Sequence, residues 1–354
     1  MRVFTFAAAG CLISVFLKSL FTAAQTPMSD SDFQLNKAPS AYTLRKVTEA
    51  AAYAAYEWIG RGERGHGDNA AINAMYDRLD GLGVSATVIV GDGDPEDDKG
   101  LLPGTKIGPV DAEPDFDLAL DPIEGTTYLA RGMTNALAAV AMAPAGTLFE
   151  PGPSRYMEKL VVPPSARGLV SPEMPVKDRL EALAKALDKP VSDLTVFVLE
   201  KPRHRELVKQ IYNAGARVAL YPAGDIAGAI MASIPGSNID ALMGTGGTRE
   251  VMVAACAVRA LGGDLYGRID PQLTTEKAAV SEVGMDTREW RGIETLVTSD
   301  DVMFSATGIT TGLLFDGVAE KAGEIVTQSL LIAGPDGQRQ ILTSYHNKSS
   351  FEAS

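Results

Sequence analysis

Apolar residues recur every three or four positions where the globular part of the chain begins. Between Tyr42 and Gly60 the members of this series are Leu44, Val47, Ala51, Ala54, Ala55 and Trp58. Such spacing places an apolar stripe along one side of a helix, so we expect an amphipathic helix that ends at Gly60. A second helical pattern covers Ala70 to Leu82.

Two apolar runs in the same half end in acidic residues. The stretches are "SATVIVGDGD", which starts at Ser85, and "FDLALDPIEG", which starts at Phe116. Apolar cores followed by glycine and carboxylates are typical of buried strands that end in turns. We therefore expect two strand ends that present acidic groups. The run "NALAAVAMAP" fits a strand or a helix, and "TLFEP" and "EKLVVPP" are candidates for further strands.

After Pro163 and Pro164 the predicted helices and strands alternate. Helical patterns occur in "PVKDRLEALAKALDK", "RHRELVKQIYNAG", "GDIAGAIMASI" and "REVMVAACAVRALGG", and the strand patterns "LTVFVLE", "ARVALYP" and "NIDALMGTG" separate them. This succession predicts a mostly parallel sheet with helices on both faces and a ligand crevice at the carboxyl ends of the strands. The fold class is therefore α/β, with a mixed α+β first half and an α/β second half.

The change in pattern near residues 164–171 predicts a boundary between two subdomains. We expect the first subdomain to cover 40–166 and the second 167–346, followed by a tail at 347–354. The preceding residues, 1–39, are expected to lie outside the fold.

The N-terminal segment has two interpretations. Its basic start, the apolar stretch from Phe4 to Phe16 and the small residues Ala23 and Ala24 are typical of a weak secretory signal. The apolar stretch is short for a bilayer-spanning helix. Alternatively, translation begins at Met28, which opens a polar sequence. Either interpretation removes the segment from the fold.

The composition excludes two classes of partner. Lys and Arg number 32 and Asp and Glu 45, which gives a formal net charge of −13. Such a balance, with no basic cluster, repels nucleic acid and anionic membranes. The only cysteines are Cys11 and Cys256, so no internal disulfide framework is expected. This predicts a cytoplasmic protein, with export or an organelle as the alternative if the signal is genuine.

Two motifs resemble common binding loops only in part. "GDGDPEDD" lacks the glycine of a calcium loop, and the twelfth position counted from Asp92 is Pro103 rather than Glu. "GTGGTRE" has neither dinucleotide-binding glycine spacing nor a Walker lysine. It fits a structural turn or an anion cradle at a helix N-terminus.

Five acidic residues at separate places in the chain form the strongest candidate site. They are Asp68, Asp92, Asp121, Glu124 and Glu250, and we refer to them as the acidic cluster. Taken singly, each also fits a solvated surface group. Together they offer the hard oxygen ligands that a divalent ion needs, with positions left for water and a phosphate group.

The stretch "DPIEGTT" resembles the D-P-(I/L)-(D/E)-G-(T/S) signature of the metal-dependent, lithium-sensitive phosphatases, which include inositol monophosphatases and fructose-1,6-bisphosphatases. Within that superfamily the chain resembles a class II fructose-1,6-bisphosphatase from about Leu44 to Thr343. The motifs that carry this resemblance are "WIGRGE", "GDNAAINAM", "IVGDGD", "DPIEGT", "RYMEKL", "KPRH", "GARVALYPAGD", "ALMGTGG" and "FSATGIT", in the family's order.

The resemblance implies a layered sugar-phosphatase fold, with metal ligands in the first subdomain and substrate contacts in the second. It places Asp68 and Asp92 at a first Mn²⁺ or Mg²⁺ and Asp121, Glu124 and Glu250 at a second. The implied substrate contacts are Glu124, Gly125, Thr126, Tyr156, Lys201, Pro202, Arg203, Asp225 and Gly247. Asp68, Glu124 and Thr126 are the implied catalytic residues, with the Thr126 hydroxyl positioning the attacking water.

Three positions depart from the family pattern. Asp92 stands where the family usually has glutamate, and Ala223 stands where it has an aspartate that contacts the sugar. Arg249 replaces a small residue or proline and has two open interpretations, a phosphate contact or a solvent-facing side chain.

The resemblance implies hydrolysis of the 1-phosphate of fructose 1,6-bisphosphate, in gluconeogenesis or a related carbon cycle, by a homo-oligomer (dimer or tetramer). Ala223 leaves sedoheptulose 1,7-bisphosphate or an inositol phosphate open as the substrate. Asp92 and Ala223 together leave open a paralogue that binds sugar phosphates without turnover.

Overall fold

Two β-sheets and the helices around them make up the computed structural model, which describes residues 39–94, 99–109 and 112–352. The strands are β1 (Ala86–Val90), β2 (Lys106–Ile107), β3 (Phe116–Glu124), β4 (Leu137–Pro144), β5 (Tyr156–Val162), β6 (Thr195–Leu199), β7 (Arg217–Tyr221), β8 (Ala241–Gly247), β9 (Asp264–Ile269), β10 (Met303–Gly308), β11 (Ala319–Lys321), β12 (Glu324–Ala333) and β13 (Gln338–Asn347). The helices are α1 (Ala41–Tyr56), α2 (Gly65–Asp80), α3 (Thr126–Arg131), α4 (Val176–Leu187), α5 (Arg205–Asn213), α6 (Asp225–Ser233), α7 (Thr248–Ala260), α8 (Thr274–Glu282), α9 (Ile293–Leu296) and α10 (Lys348–Glu352). The signal-like segment and the alternative start at Met28 lie outside the described residues.

Both predicted N-terminal helices are confirmed, with shifted bounds. Ser40 caps α1, because its side chain accepts a hydrogen bond from the Thr43 N–H at 3.2 Å. Helix α2 begins at Gly65, before the predicted Ala70. Its first turn is polar and includes Asp68, so apolar spacing did not reveal it.

The first sheet has eight strands, in the order β11-β12-β10-β4-β3-β1-β2, and β13 also pairs with β12. Only the β1–β3 pair is parallel, and the other pairs are antiparallel. The ambiguous run "NALAAVAMAP" is the central strand β4. It is buried on both faces, which removes the alternation that normally identifies a strand.

The second sheet has the order β7-β6-β8-β5-β9. Strands β6 and β7 and strands β6 and β8 pair in parallel, as the helix–strand succession predicted. Strand β5 lies between β8 and β9 and is antiparallel to both. The sheet is therefore mixed in its pairing, because the segment before the succession is inserted into it.

The predicted strand at "TLFEP" is wrong, since this segment forms only an isolated bridge between Leu148 and Val297. The buried carboxylate of Asp117 accepts the backbone N–H groups of Thr147 and Leu148 at 2.9 and 3.0 Å. These donors are satisfied by a side chain, so they do not extend a sheet ladder.

The helices and sheets stack in layers. Helices α1 and α2 cover the outer face of the first sheet, and α4 and α5 cover the outer face of the second. Helix α7 packs on strands of both sheets, and α6 packs on α7 and on β5, β6 and β8 of the second sheet, so both helices belong to the largest core cluster. All of α6 is buried, and α7 is apolar on nearly every side, as expected for helices packed on two faces. Cys256 of α7 is buried, and burial raises the pKa of its thiol to about 12.

The division into subdomains at 166/167 stays a prediction. The sheets themselves interleave along the chain, because β10 to β13 from the last part of the sequence join the first sheet. The predicted tail contains the end of β13 and helix α10. Across the described ranges, none of the helices has the length and apolar character that crossing a membrane requires.

A buried polar contact joins α1 to the first sheet. Arg45 and Glu49 form an ion pair on the inner side of α1, and Glu49 is 1% exposed. The Glu49 carboxylate also accepts a hydrogen bond from the Thr327 hydroxyl at 2.7 Å. This carboxylate therefore satisfies donors from both the helix and strand β12.

We expect Glu49→Ala to lower the free energy of unfolding by about 3–5 kcal/mol, because it leaves a buried guanidinium without its partner. Glu181→Ala is the control, since Glu181 and Lys177 have the same i, i+4 spacing on α4 but are exposed. That change should lower stability by less than about 1 kcal/mol. Urea unfolding of both variants measures the difference, and equal losses would contradict the structural role of Glu49.

Candidate active site

The "DPIEGTT" stretch folds into a strand end, a bulge and a helix start. The pairing of β3 with β4 shifts register between Asp121 and Glu124, so the chain bulges at Pro122. Gly125 follows with φ +87, and a Cβ there would lie 2.6 Å from the ring of Tyr128. Only glycine fits this position without strain, and α3 begins at the next residue, Thr126.

The two carboxylates of this stretch are buried. Asp121 is 0% exposed, and neither of its oxygens has a hydrogen-bond partner in the described part of the chain. Glu124 accepts the Ile226 N–H at the start of α6 at 2.7 Å through Oε1, whereas Oε2 has no such partner there. Burial raises the pKa of Asp121 to about 8 and that of Glu124 well above its ordinary value.

The other acids come from three separate elements. Asp68 lies in the first turn of α2, Asp92 follows β1, and Glu250 lies in the first turn of α7. Burial raises the pKa of Asp68 to about 6, and the neighbouring Asp92 carboxylate adds to the rise. The absence of a side chain at Gly247 leaves room for the Glu250 carboxylate, since a Cβ on Gly247 would lie 1.8 Å from Glu250 Oε2.

Arg249 lies among these acids. Its Nη1 donates to Asp92 Oδ2, and its Nε lies 3.6 Å from Asp121 Oδ1. Burial alone would lower the pKa of this guanidinium, but Asp121, Glu250 and Asp92 raise it above its ordinary range. The interpretation as a solvent-facing side chain is wrong, because the side chain is 26% exposed and paired with carboxylates.

The donor chemistry of the cluster fits a hard divalent ion. Carboxylate oxygens are the ligands that Mg²⁺ and Mn²⁺ prefer, and the unpartnered oxygens of Asp121 and Glu124 would be satisfied by a cation. As the side chains stand, no three His, Cys, Asp or Glu residues within the described ranges are close enough together to hold an ion. Arg249 supplies the positive charge among them instead.

A cavity of about 720 Å³ opens above the cluster. Nine of the thirteen predicted site residues line it, namely Asp92, Glu124, Gly125, Tyr156, Lys201, Arg203, Asp225, Gly247 and Glu250. Asp68, Asp121, Thr126 and Pro202 are not among the lining residues. Asp68 and Asp121 still belong to the cluster, because neighbouring carboxylates of the cluster help to raise the pKa of each. The roles predicted for all thirteen stay predictions.

The "KPRH" segment is held in place by a buried histidine that sequence reasoning missed. His204 Nδ1 lies 2.7 Å from the Leu199 carbonyl, and His204 Nε2 accepts the Thr245 N–H at 2.8 Å. Burial lowers the pKa of His204, which keeps the ring neutral and suits these two contacts. The histidine thus ties the end of β6 to β8.

Arg203 is oriented by two groups. Its Nε and Nη2 donate to the Thr245 carbonyl at 3.0 and 2.7 Å, and its guanidinium lies 5.2 Å from the centre of the Tyr156 ring. Together with Lys201 it makes one wall of the cavity cationic. The segment is therefore more than a solvated helix start, since only 4% of His204 is exposed.

Two further positioning residues were also missed. Lys159 forms a buried ion pair with Asp225, and a lone lysine in the apolar strand "EKLVV" was the available sign. The buried Tyr128 hydroxyl donates to the Ala223 carbonyl at 2.8 Å and accepts the Ala223 N–H at 2.9 Å. The backbone at Ala223 is therefore fixed, although its side chain is only a methyl group.

Two comparisons with known proteins, one with family models and one with single sequences, point to the same family. The sequence model of the family described as "Bacterial fructose-1,6-bisphosphatase, glpX-encoded" matches residues 39–346. The class 2 fructose-1,6-bisphosphatase of Haemophilus influenzae is 38% identical over 319 residues, which covers 86% of this chain and 95% of that protein. The Escherichia coli K12 protein "Fructose-1,6-bisphosphatase 1 class 2" is also 38% identical, with 86% and 94% covered.

A solved structure, the extragenic suppressor from Pyrococcus furiosus, aligns with a TM-score of 0.28 at 12% identity over 54% of this chain and 70% of that one, which is too low to support an argument. The family match and the two relatives span nearly the whole of the described structure. The chain belongs to the family of bacterial class 2 fructose-1,6-bisphosphatases.

Proposed function

We propose that the protein hydrolyses the 1-phosphate of fructose 1,6-bisphosphate in a reaction that depends on a divalent ion. The observation that carries this proposal is one cavity that lies over buried carboxylate oxygens without hydrogen-bond partners and has Lys201 and Arg203 on its wall. Such a cavity suits a ligand with two phosphates, one held and one hydrolysed. The relatives' names support the same substrate.

The cationic wall would hold the phosphate that is not cleaved. Arg203 is fixed by the Thr245 carbonyl, so its remaining N–H groups are aimed before the ligand arrives. Lys201 adds a second positive charge beside it. Their combined charge orients the sugar with its other phosphate towards the acidic cluster.

The acidic cluster would act on the other phosphate. Asp68 and Asp92 would hold a first Mn²⁺ or Mg²⁺, and Asp121, Glu124 and Glu250 would hold a second. When bound, such an ion neutralises phosphoryl charge and makes water a better nucleophile at neutral pH. The Thr126 hydroxyl, at the start of α3, would orient the attacking water, and the Gly125 backbone allows the close approach of the phosphate.

A different sugar bisphosphate is the second candidate substrate, and Ala223 favours it. Its methyl group lines the cavity where the family pattern has a carboxylate for the sugar. Turnover compared across fructose 1,6-bisphosphate, sedoheptulose 1,7-bisphosphate and an inositol phosphate decides between them.

A sugar-phosphate-binding protein without turnover is the alternative from another class, and Arg249 among the acids favours it. Calorimetric binding of the bisphosphate without phosphate release at any metal would support it. A cytoplasmic location and a homo-oligomeric state stay predictions, the first supported by the low cysteine content.

Asp121→Asn tests the role of the cluster. We expect kcat/KM for phosphate release with Mn²⁺ or Mg²⁺ to fall by at least about 100-fold, because even changes that only support metal ligands lower activity by about 10- to 100-fold. The measurement is inorganic phosphate released from fructose 1,6-bisphosphate at saturating metal.

The matched control is Asp117→Asn on the same strand. Asp117 is also buried, but its carboxylate accepts backbone N–H groups away from the cavity. Its kcat/KM per folded molecule should stay near that of the unaltered protein. No metal-dependent turnover by the unaltered protein, or equal losses in both variants, would count against the proposal.

Arg203→Ala tests the cationic wall. A hydrogen bond to a charged group contributes about 1.5–3 kcal/mol, so kcat/KM for the bisphosphate should fall roughly 10- to 150-fold. Fructose 1-phosphate, which lacks the second phosphate, should show little change. Arg205→Ala is the control, since Arg205 is exposed and does not line the cavity. Equal losses on both substrates would assign Arg203 a role other than holding the second phosphate.

A further inference from the structure

Arg249 places a positive charge where the family is expected to bind metal. Its guanidinium donates to Asp92 and lies 3.6 Å from Asp121 Oδ1. The Nε atom has no hydrogen-bond acceptor in the part of the chain that the structure describes. The attraction to Asp121 is therefore mainly electrostatic, with no hydrogen bond that fixes the side chain there.

A guanidinium and a divalent ion compete for the same carboxylates. Ligand oxygens lie about 2.0–2.6 Å from Mg²⁺ or Ca²⁺-sized ions, so an ion bound to Asp121 would lie close to Arg249 in its present position. Like charges at such a separation repel strongly when water is excluded. Both cations cannot use Asp92 and Asp121 in this way at once.

The cavity provides space into which the Arg249 side chain can move. Arg249 is itself one of the lining residues, and its side chain is 26% exposed, so rotation about its side-chain bonds can carry the guanidinium outward. Asp121 has no such freedom, because it lies on a central strand and is 0% exposed. The movable partner of this pair is the arginine.

We propose that Arg249 is a built-in counter-ion of the acidic cluster that competes with the divalent ion and must leave the cluster before the ion binds. The inference rests on the proposed function in that it takes the cluster as the metal site. It predicts that the protein binds metal more weakly than its carboxylates alone would allow.

Arg249→Gln and Arg249→Ala test the proposal through metal binding rather than activity. The dissociation constant for Mn²⁺, measured from the electron paramagnetic resonance signal of free Mn²⁺ and by calorimetry, should fall at least about tenfold in both variants, because a charged competitor contributes at least that factor. An unchanged or higher dissociation constant would overturn the proposal.

Arg155→Ala is the matched control. Arg155 is an exposed arginine of the same cavity and has no ion pair with the residues that the structure describes. Removing its charge should change Mn²⁺ affinity by no more than about twofold, since exposed charges are screened. A tenfold tightening here as well would show a general effect of charge and contradict a specific role of Arg249.

Thermal unfolding gives a second measurement. Without metal, both Arg249 variants should melt at a lower temperature than the unaltered protein, because the buried carboxylates lose their counter-ion. Saturating Mn²⁺ should restore them and raise the melting temperature more than it does in the unaltered protein. Variants that remain unfolded in saturating Mn²⁺ would contradict the proposal, which requires that the ion can replace the guanidinium.

These results are separable from the test of the proposed function. Absence of phosphate release together with tighter Mn²⁺ binding by the variants would refute the proposed reaction and support the role of Arg249. Turnover by the unaltered protein together with unchanged Mn²⁺ affinity in the variants would support the proposed reaction and refute the role of Arg249.

Discussion

Buried negative charge beneath the cavity is the constraint on which the site depends. Asp121 is fully buried, and no described residue donates a hydrogen bond to it. An isolated carboxylate in such surroundings is strongly disfavoured, so it must bind a proton or a cation. The raised pKa of Asp121 and Glu124 reflects the first response, and the position of Arg249 reflects the second. A divalent ion, as proposed above, would be another cation that meets the same imbalance.

The layered fold keeps these charges together. Helix α7 packs on strands of both sheets and α6 packs on α7, so the N-termini of the two helices are held near the end of β3. Glu124 accepts a backbone N–H from the start of α6, and Glu250 lies in the first turn of α7. Helix N-termini stabilise negative charge, so both helices partly compensate for acids that would otherwise repel one another.

The sequence predicted the local features better than the contacts between distant segments. Strands that end in carboxylates and the alternation after Pro164 were visible, because each depends on neighbours in the chain. The antiparallel insertion of β5 was not, since a strand's pattern contains no information about its direction. The buried role of His204 was not visible either, because its partners, Leu199 and Thr245, are brought to it only by the sheet. The strand prediction at "TLFEP" failed for the same reason, because the carboxylate that accepts its backbone N–H groups lies about thirty residues away in the chain.

Two of the departures from the family pattern are best understood together. Replacing glutamate by Asp92 shortens the side chain by one carbon–carbon bond, roughly 1.5 Å, and so draws a carboxylate back from the centre of the cluster. Arg249 donates its hydrogen bond to this same carboxylate. A long cationic side chain thus fills space that a longer acid and a metal ion would share. Since a planar guanidinium can contact several carboxylates at once, arginine suits this position better than lysine would. The shorter acid and the added arginine therefore meet in one ion pair at the edge of the cluster.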